Sequence, residues 1–157
     1  VFAKTIIQLI MIGYFLFVRK RTWFSIRVAA IALSSLGLMF LLKKIFRRKR
    51  PDTPLLHAVR GLSFPSGHAI MSVTFYGLLI YIISHTWKSA VLKGAVIPSL
   101  VVLILMIGYS RVYLRVHYTS DVAAGFIIGL LWLIISLDLL KRIEEYNKKP
   151  PTYLTLA

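Results

Sequence analysis

The sequence predicts an all-α fold, a polytopic transmembrane bundle with five spanning helices, and three observations predict it. Several apolar runs approach the roughly 20 residues needed to cross a hydrocarbon core. The basic residues gather at the ends of those runs, where they anchor helices at the membrane surface. The unusual polar residues recur at positions that alternating helices would bring to one face. Composition agrees: 58% of the 157 residues are hydrophobic and the mean hydropathy is +0.77, which fits a membrane bundle better than a soluble core.

Residues 1–18 are apolar except for Lys4 and Gln8, and Arg19, Lys20 and Arg21 end them, so they read as the first helix. There is no initial Met, no basic start and no small-residue cleavage site, which points to an absent upstream piece and no cleavable signal peptide. Residues 22–42 form the second span, with Arg27 early enough to snorkel back to the surface. Residues 43–50 then leave the membrane. Residues 51–65 contain Pro51, Pro54, Gly61 and Pro65 and cannot be one regular helix. Leu55, Leu56, Val59 and Leu62 fall along one side of a short interfacial helix.

Residues 66–85 form the third span and residues 94–110 the fourth, with Pro98 tolerated in its early turns. Residues 119–140 form the fifth. In it, Gly125 and Gly129 make a small-xxx-small pair suited to close helix packing. Asp138 has Lys141 and Arg142 three and four residues on, a spacing for an ion pair. Residues 1–142 thus form one membrane-embedded domain, and residues 143–157 a polar, proline-containing tail.

The formal net charge of +15 would point to nucleic acid in a soluble protein. Here the cations sit at helix ends and no soluble segment carries a basic face, so the partner is the bilayer and not nucleic acid. The absence of Cys excludes disulfides, thiolate metal sites and cysteine nucleophiles. Oligomeric state is not readable.

Three polar clusters fall on one face. Lys43 and Arg50 bracket the first, closed by Pro51; alone, they match the basic flanks of most membrane helices. The second is Pro65, Ser66, Gly67 and His68, where Pro65 breaks the chain, Ser66 caps a helix and the free N–H groups make an anion site. The third holds Ser110, Arg111, His117 and Asp121, the last two spaced to meet across one helical turn. Such groups at membrane depth are costly unless they pair, reach water or do chemistry. Lys43, Arg50 and Arg111 bring three cations to one pocket, while only Asp52 and Asp121 supply carboxylates on that face. An anionic ligand completes such a set, and phosphate fits best because arginine forks match its oxygens. His57 lies in the loop and His85 at the far end of the third span; neither is assigned chemistry.

The spacings Lys43-x6-Arg50-Pro51, Pro65-Ser66-Gly67-His68 and Ser110-Arg111-x5-His117-x3-Asp121 resemble the three-part signature of the type 2 phosphatidic acid phosphatase superfamily. Its membrane members typically have six helices, so the chain resembles that core from its second helix onward. The apolar spans resemble the bacterial lipid phosphatase branch, which acts on phosphatidylglycerophosphate or undecaprenyl diphosphate. Arg115 and Thr119 depart from it, standing where members often have glycine and proline.

The resemblance implies that His117 attacks phosphorus and forms a phosphohistidine, with Asp121 accepting a hydrogen bond from its far ring nitrogen. It implies that His68 protonates the leaving oxygen and then activates water. Lys43, Arg50 and Arg111, with Ser66 and the Gly67 backbone, would hold the phosphoryl oxygens. No cofactor and no metal are implied, since the carboxylates of a magnesium site are lacking. The expected activity is hydrolysis of a phosphomonoester or diphosphate headgroup on a membrane lipid, phosphatidic acid included. A lipid phosphotransferase using the same intermediate and a noncatalytic lipid-phosphate binder or transporter are the alternatives.

Lys and Arg divide evenly between the two faces, and setting aside Lys43, Arg50 and Arg111 tips the balance away from the active one. The positive-inside rule then puts the C-terminus in the cytoplasm and the active face outside, and the resemblance implies the periplasmic or extracellular side of a bacterial inner membrane.

Overall fold

The computed structural model describes residues 22–55 and 61–148. Four helices order them: α1 (Thr22–Phe46), α2 (Gly67–Thr86), α3 (Ala90–Tyr113) and α4 (Thr119–Lys148). All four are long and apolar enough to cross a membrane. The run at residues 1–18, read as the first of five spans, lies outside the described residues, as do Leu56, His57, Val59 and the chain beyond residue 148.

Hydrocarbon offers the backbone no hydrogen-bond partner, so these runs can be stable there only as helices. Their hydroxyls are satisfied within their own turns. Ser35 bonds the Ala32 carbonyl, Ser72 that of Ala69, and Thr74 that of Ile70. Ser34 also accepts from the Trp132 indole at 3.1 Å, tying α1 to α4.

Helix α2 is the axis of the bundle. Its span is 56% buried against 6% for that of α3, and it packs against each of the other three helices. α4 likewise touches α1, α2 and α3, whereas α1 and α3 flank the α2–α4 pair without pairing with each other among the described residues. At the end remote from the polar clusters, Val28 and Ile31 of α1, Leu78 and Ile82 of α2 and Leu133 of α4 form one apolar cluster. At the other end α2 and α4 close on glycine. A Cβ on Gly125 would meet the Ala69 Cβ at 2.7 Å and the Ser66 carbonyl at 2.9 Å; one on Gly129 would meet the Ile70 carbonyl at 2.9 Å. The small-residue pair is thus a backbone-to-backbone contact.

That contact brings Asp121 against the start of α2, where the Ser66 amide donates to the Asp121 carbonyl at 3.0 Å. Gly125→Leu must push the two helices apart. It is expected to cost about 1–3 kcal/mol, read as earlier thermal unfolding in detergent, and to lower activity by separating the two halves of the site.

Three boundaries differ from the sequence reading. α1 continues past Leu42 to Phe46, so Lys43 and Lys44 lie in its last turn, where cations favour the negative end of the helix dipole. α3 begins at Ala90, where Ser89 caps it by accepting from the Leu92 amide at 3.3 Å. Pro98 therefore lies inside the helix and not in its early turns. α4 runs through the expected start of the tail at residue 143 to Lys148. Ion pairs one turn apart support that extension, Asp138 with Arg142 at 2.8 Å and Lys141 with Glu145 at 3.9 Å.

Candidate active site

The end of α1, the start of α2 and the α3–α4 loop meet at one end of the bundle, with the connector after α1 folded between them. Lys43, in the last turn of α1, donates through Nζ to the Leu62 carbonyl at 2.7 Å and to that of Ser63 at 3.4 Å. Arg50 donates through Nε to the Gly61 carbonyl at 3.1 Å and through Nη1 to that of Val116 at 2.7 Å. The two cations thereby fix the connector and the loop before His117 while sharing a cavity of about 230 Å³ with Gly67, His68 and His117. Leu36, Met39, Phe40 and Met71 supply its apolar wall.

His117 is only 4% exposed. Its Nε2 lies 3.4 Å from Arg50 Nη1 and its Nδ1 3.4 Å from Ser63 Oγ. Burial, then the Arg50 and Lys43 cations, push its pKa from 6.5 down to about 4, against the opposing pull of Asp121. The ring is therefore neutral at pH 7. Burial also lowers Arg50 from the ordinary arginine value, with Asp121 opposing; it stays a cation at neutral pH.

Asp121 is wholly buried. Its distance from His117 Nδ1 is 3.6 Å, beside the ring as the four-residue spacing predicts but too long for the direct hydrogen bond that the resemblance implied. Its oxygens are taken by others. Oδ1 accepts from Arg48 Nη1 at 2.9 Å, and Oδ2 accepts from the Tyr118 amide at 2.9 Å and in a short hydrogen bond from the Ser63 hydroxyl. Ser63 thus stands between the imidazole and the carboxylate. With Nδ1 protonated, the ring can donate to the Ser63 oxygen while that hydroxyl donates to Asp121. This tautomer leaves the Nε2 lone pair toward Arg50 and the cavity.

Lys43, Arg50, Gly67, His68 and His117 come together around the cavity, with Asp121 behind His117. Ser66 and Arg111 are not in the lining. The Ser66 hydroxyl, expected to cap α2, makes no cap hydrogen bond and is buried without a partner; its amide is held by the Asp121 carbonyl and is not a free anion donor. Arg111 Nε donates to the Ser110 hydroxyl at 3.1 Å, and the Arg111 carbonyl accepts from the Val116 and His117 amides. Arg115 takes the left-handed region at φ 53, where a side chain is strained and glycine is not.

Two residues beside Asp121 escape sequence reasoning. Arg48 lies within a run of basic residues that reads as a membrane anchor, yet it pairs with Asp121, donates to Ser120 Oγ at 2.8 Å and stacks over the Tyr118 ring at 4.2 Å. Ser63, between two apolar residues, gives no signal. Arg48→Met removes the ion-pair partner of Asp121 beside His117 and is expected to raise the His117 pKa above about 4. The Arg48 side chain is 40% exposed, so the pair contributes only about 1 kcal/mol to stability. The pH dependence of His117 modification by diethylpyrocarbonate checks the shift.

A model of the PAP2 superfamily matches residues 23–144. The chain belongs to the PAP2 superfamily. It is 31% identical over 143 residues to phosphatidylglycerophosphatase B of Bacillus subtilis, spanning 90% of this chain and 70% of that one. It is 33% identical over 117 residues to the decaprenylphosphoryl-5-phosphoribose phosphatase of Mycobacterium tuberculosis, spanning 71% of this chain and 57% of the relative. The crystal structure of a transmembrane PAP2-type phosphatidylglycerolphosphate phosphatase from Bacillus subtilis superposes with a TM-score of 0.71 at 32% identity, covering 90% of this chain and 69% of that one. The PAP2 match and the spans make this an integral membrane protein related to lipid phosphatases.

Proposed function

We propose that the chain removes a terminal phosphate from a membrane lipid through a phosphohistidine formed on His117. The observation that carries this reading is a buried, neutral imidazole whose Nε2 faces the Arg50 guanidinium at 3.4 Å inside a cavity that Lys43 and His68 also line. Nε2 attacks phosphorus and the bond from phosphorus to the lipid oxygen breaks, with the proton from His68 leaving on that oxygen. His68 then takes a proton from water, whose oxygen displaces Nε2 and releases phosphate. Lys43 and Arg50 meet the charge that builds on the phosphoryl oxygens, the work a metal ion would otherwise do, so chelation should leave turnover unchanged. Ser63 and Asp121 hold the Nδ1 proton and so keep the reactive nitrogen free.

The apolar wall reaches Phe40, which is 64% exposed on the bundle surface, and gives an acyl or polyprenyl chain a lateral way in. The relatives named above act on lipid-linked phosphates, and this chain is assigned the same class, with its active face outside a bacterial inner membrane. Rapid quenching with a lipid whose terminal phosphate is radiolabelled tests the intermediate. Label should remain on the protein in base and leave it in acid, as a phosphoramidate does. Phosphate release with no label trapped at any quench time would overturn the covalent route.

A further inference from the structure

In the proposed chemistry the cavity at His117 takes one phosphoryl group, but the basic residues of α1 extend beyond it. Phe40, Lys43 and Lys44 follow one another at the spacing of neighbours on one helix face, Arg47 stands just past the helix end, and Leu36 extends that stripe back into the span. A second, wider opening runs along the same stripe, lined by Phe40, Lys43, Lys44, Arg47 and Arg50 and closed by the connector at Gly61 and Leu62. It shares Phe40, Lys43 and Arg50 with the cavity at His117, so the two adjoin. Among the described residues, four cations line it and no carboxylate does. Among the described residues none of the four forms a salt bridge. Lys43 and Arg50 spend donors on backbone carbonyls, as described above. Arg47 spends only Nε on the Lys44 carbonyl, at 3.1 Å. It also leaves the helix at φ 47.

Cations at a helix C-terminus and at a membrane surface need no ligand to be explained. The placement adds something to that. The order along the stripe is apolar, then mixed, then basic, which is the order of tail, link and headgroup in a lipid. Lys44 and Arg47 also line the adjoining opening and not the cavity at His117, whose apolar wall includes Leu36.

We infer that Lys44 and Arg47 form a second anion subsite, which makes this protein select lipids bearing another phosphate besides the one transferred. The inference rests on the phosphatase reading above. The terminal phosphate occupies the space between His117, Arg50 and Lys43. The second lies against Lys44 and Arg47, and the tail passes along Phe40 and Leu36. A diphosphate and a phosphodiester-linked phosphomonoester both supply the second charge; phosphatidic acid does not.

Matched pairs in neutral detergent separate these cases: farnesyl monophosphate against farnesyl diphosphate, and phosphatidic acid against phosphatidylglycerophosphate of the same acyl chains. The wild type is expected to show the higher kcat/KM on the two-phosphate member of at least one pair, and which pair tells the source of the second anion. The exposed double variant Lys44→Gln, Arg47→Gln should lose roughly tenfold on that member through KM, and less than about threefold on its one-phosphate partner. Equal losses on both members would reduce the two residues to general anchors, and no loss on either would remove them from substrate contact. Phosphate release from all four lipids with no preference would overturn the subsite and leave the phosphatase reading standing. Release from none would sink both.

Discussion

His117→Ala is expected to reduce phosphate release by roughly 10⁴-fold or more, because the covalent route loses the only atom that bonds to phosphorus. The protein should still fold. The wild-type ring is neutral at pH 7 and its nearest polar neighbours, Arg50 and Ser63, are each at 3.4 Å, so its removal strands no charge. Asp121 keeps Arg48, the Ser63 hydroxyl and the Tyr118 amide. The stability cost is that of a small cavity, about 1–2 kcal/mol. Cooperative melting in detergent lowered by only a few degrees, intact binding of a lipid phosphate and lost turnover together would mark a nucleophile. Retained turnover would place the attacking atom elsewhere, and His68, in the same cavity, would be the next residue to test.

The parts of this fold legible in the sequence are those set by the bilayer. A helix must satisfy its own backbone in hydrocarbon, so apolar length alone located α1 to α4 within a few residues. The ends were harder to place, because charge decides where a chain leaves the membrane but not where a helix stops. Lys43 is still helical, and α4 continues to Lys148 on ion-paired turns. The gathering of Lys43, Arg50, His68 and His117 followed from alternation of the spans. What spacing could not supply was the course of the irregular connector, which sets Ser63 between His117 and Asp121 and turns Arg48 inward. For the same reason the four-residue step brought His117 and Asp121 side by side, while the direct bond that the resemblance implied is not made at the 3.6 Å separation. Arg111 shows the converse, a motif residue whose hydrogen bonds run to the Ser110 hydroxyl and the loop backbone rather than to the cavity.

Arg50→Gln carries the second large effect and reads the electrostatics directly. In the proposed chemistry Arg50 is the charge that faces both Nε2 and the phosphoryl oxygens, so losing it should lower kcat/KM by about 10²- to 10³-fold. Its loss also removes a cation that keeps the proton off His117, so the His117 pKa should rise from about 4 toward 6.5. The sign has a consequence for stability. In the wild type the folded pKa lies below the unfolded one, so on acidification the unfolded chain binds a proton first, and stability falls between pH 6.5 and about 4. That difference corresponds to roughly 3 kcal/mol at the acid end. In Arg50→Gln the acid-dependent loss should shrink even though the variant is less stable at pH 7, where the Gly61 and Val116 carbonyls have lost their donor. Melting temperatures of both proteins across pH 4 to 8 test this without reference to substrate. An unchanged acid slope would mean that burial alone, and not the guanidinium, keeps the imidazole neutral, while an activity loss without that shift would confine Arg50 to holding phosphate.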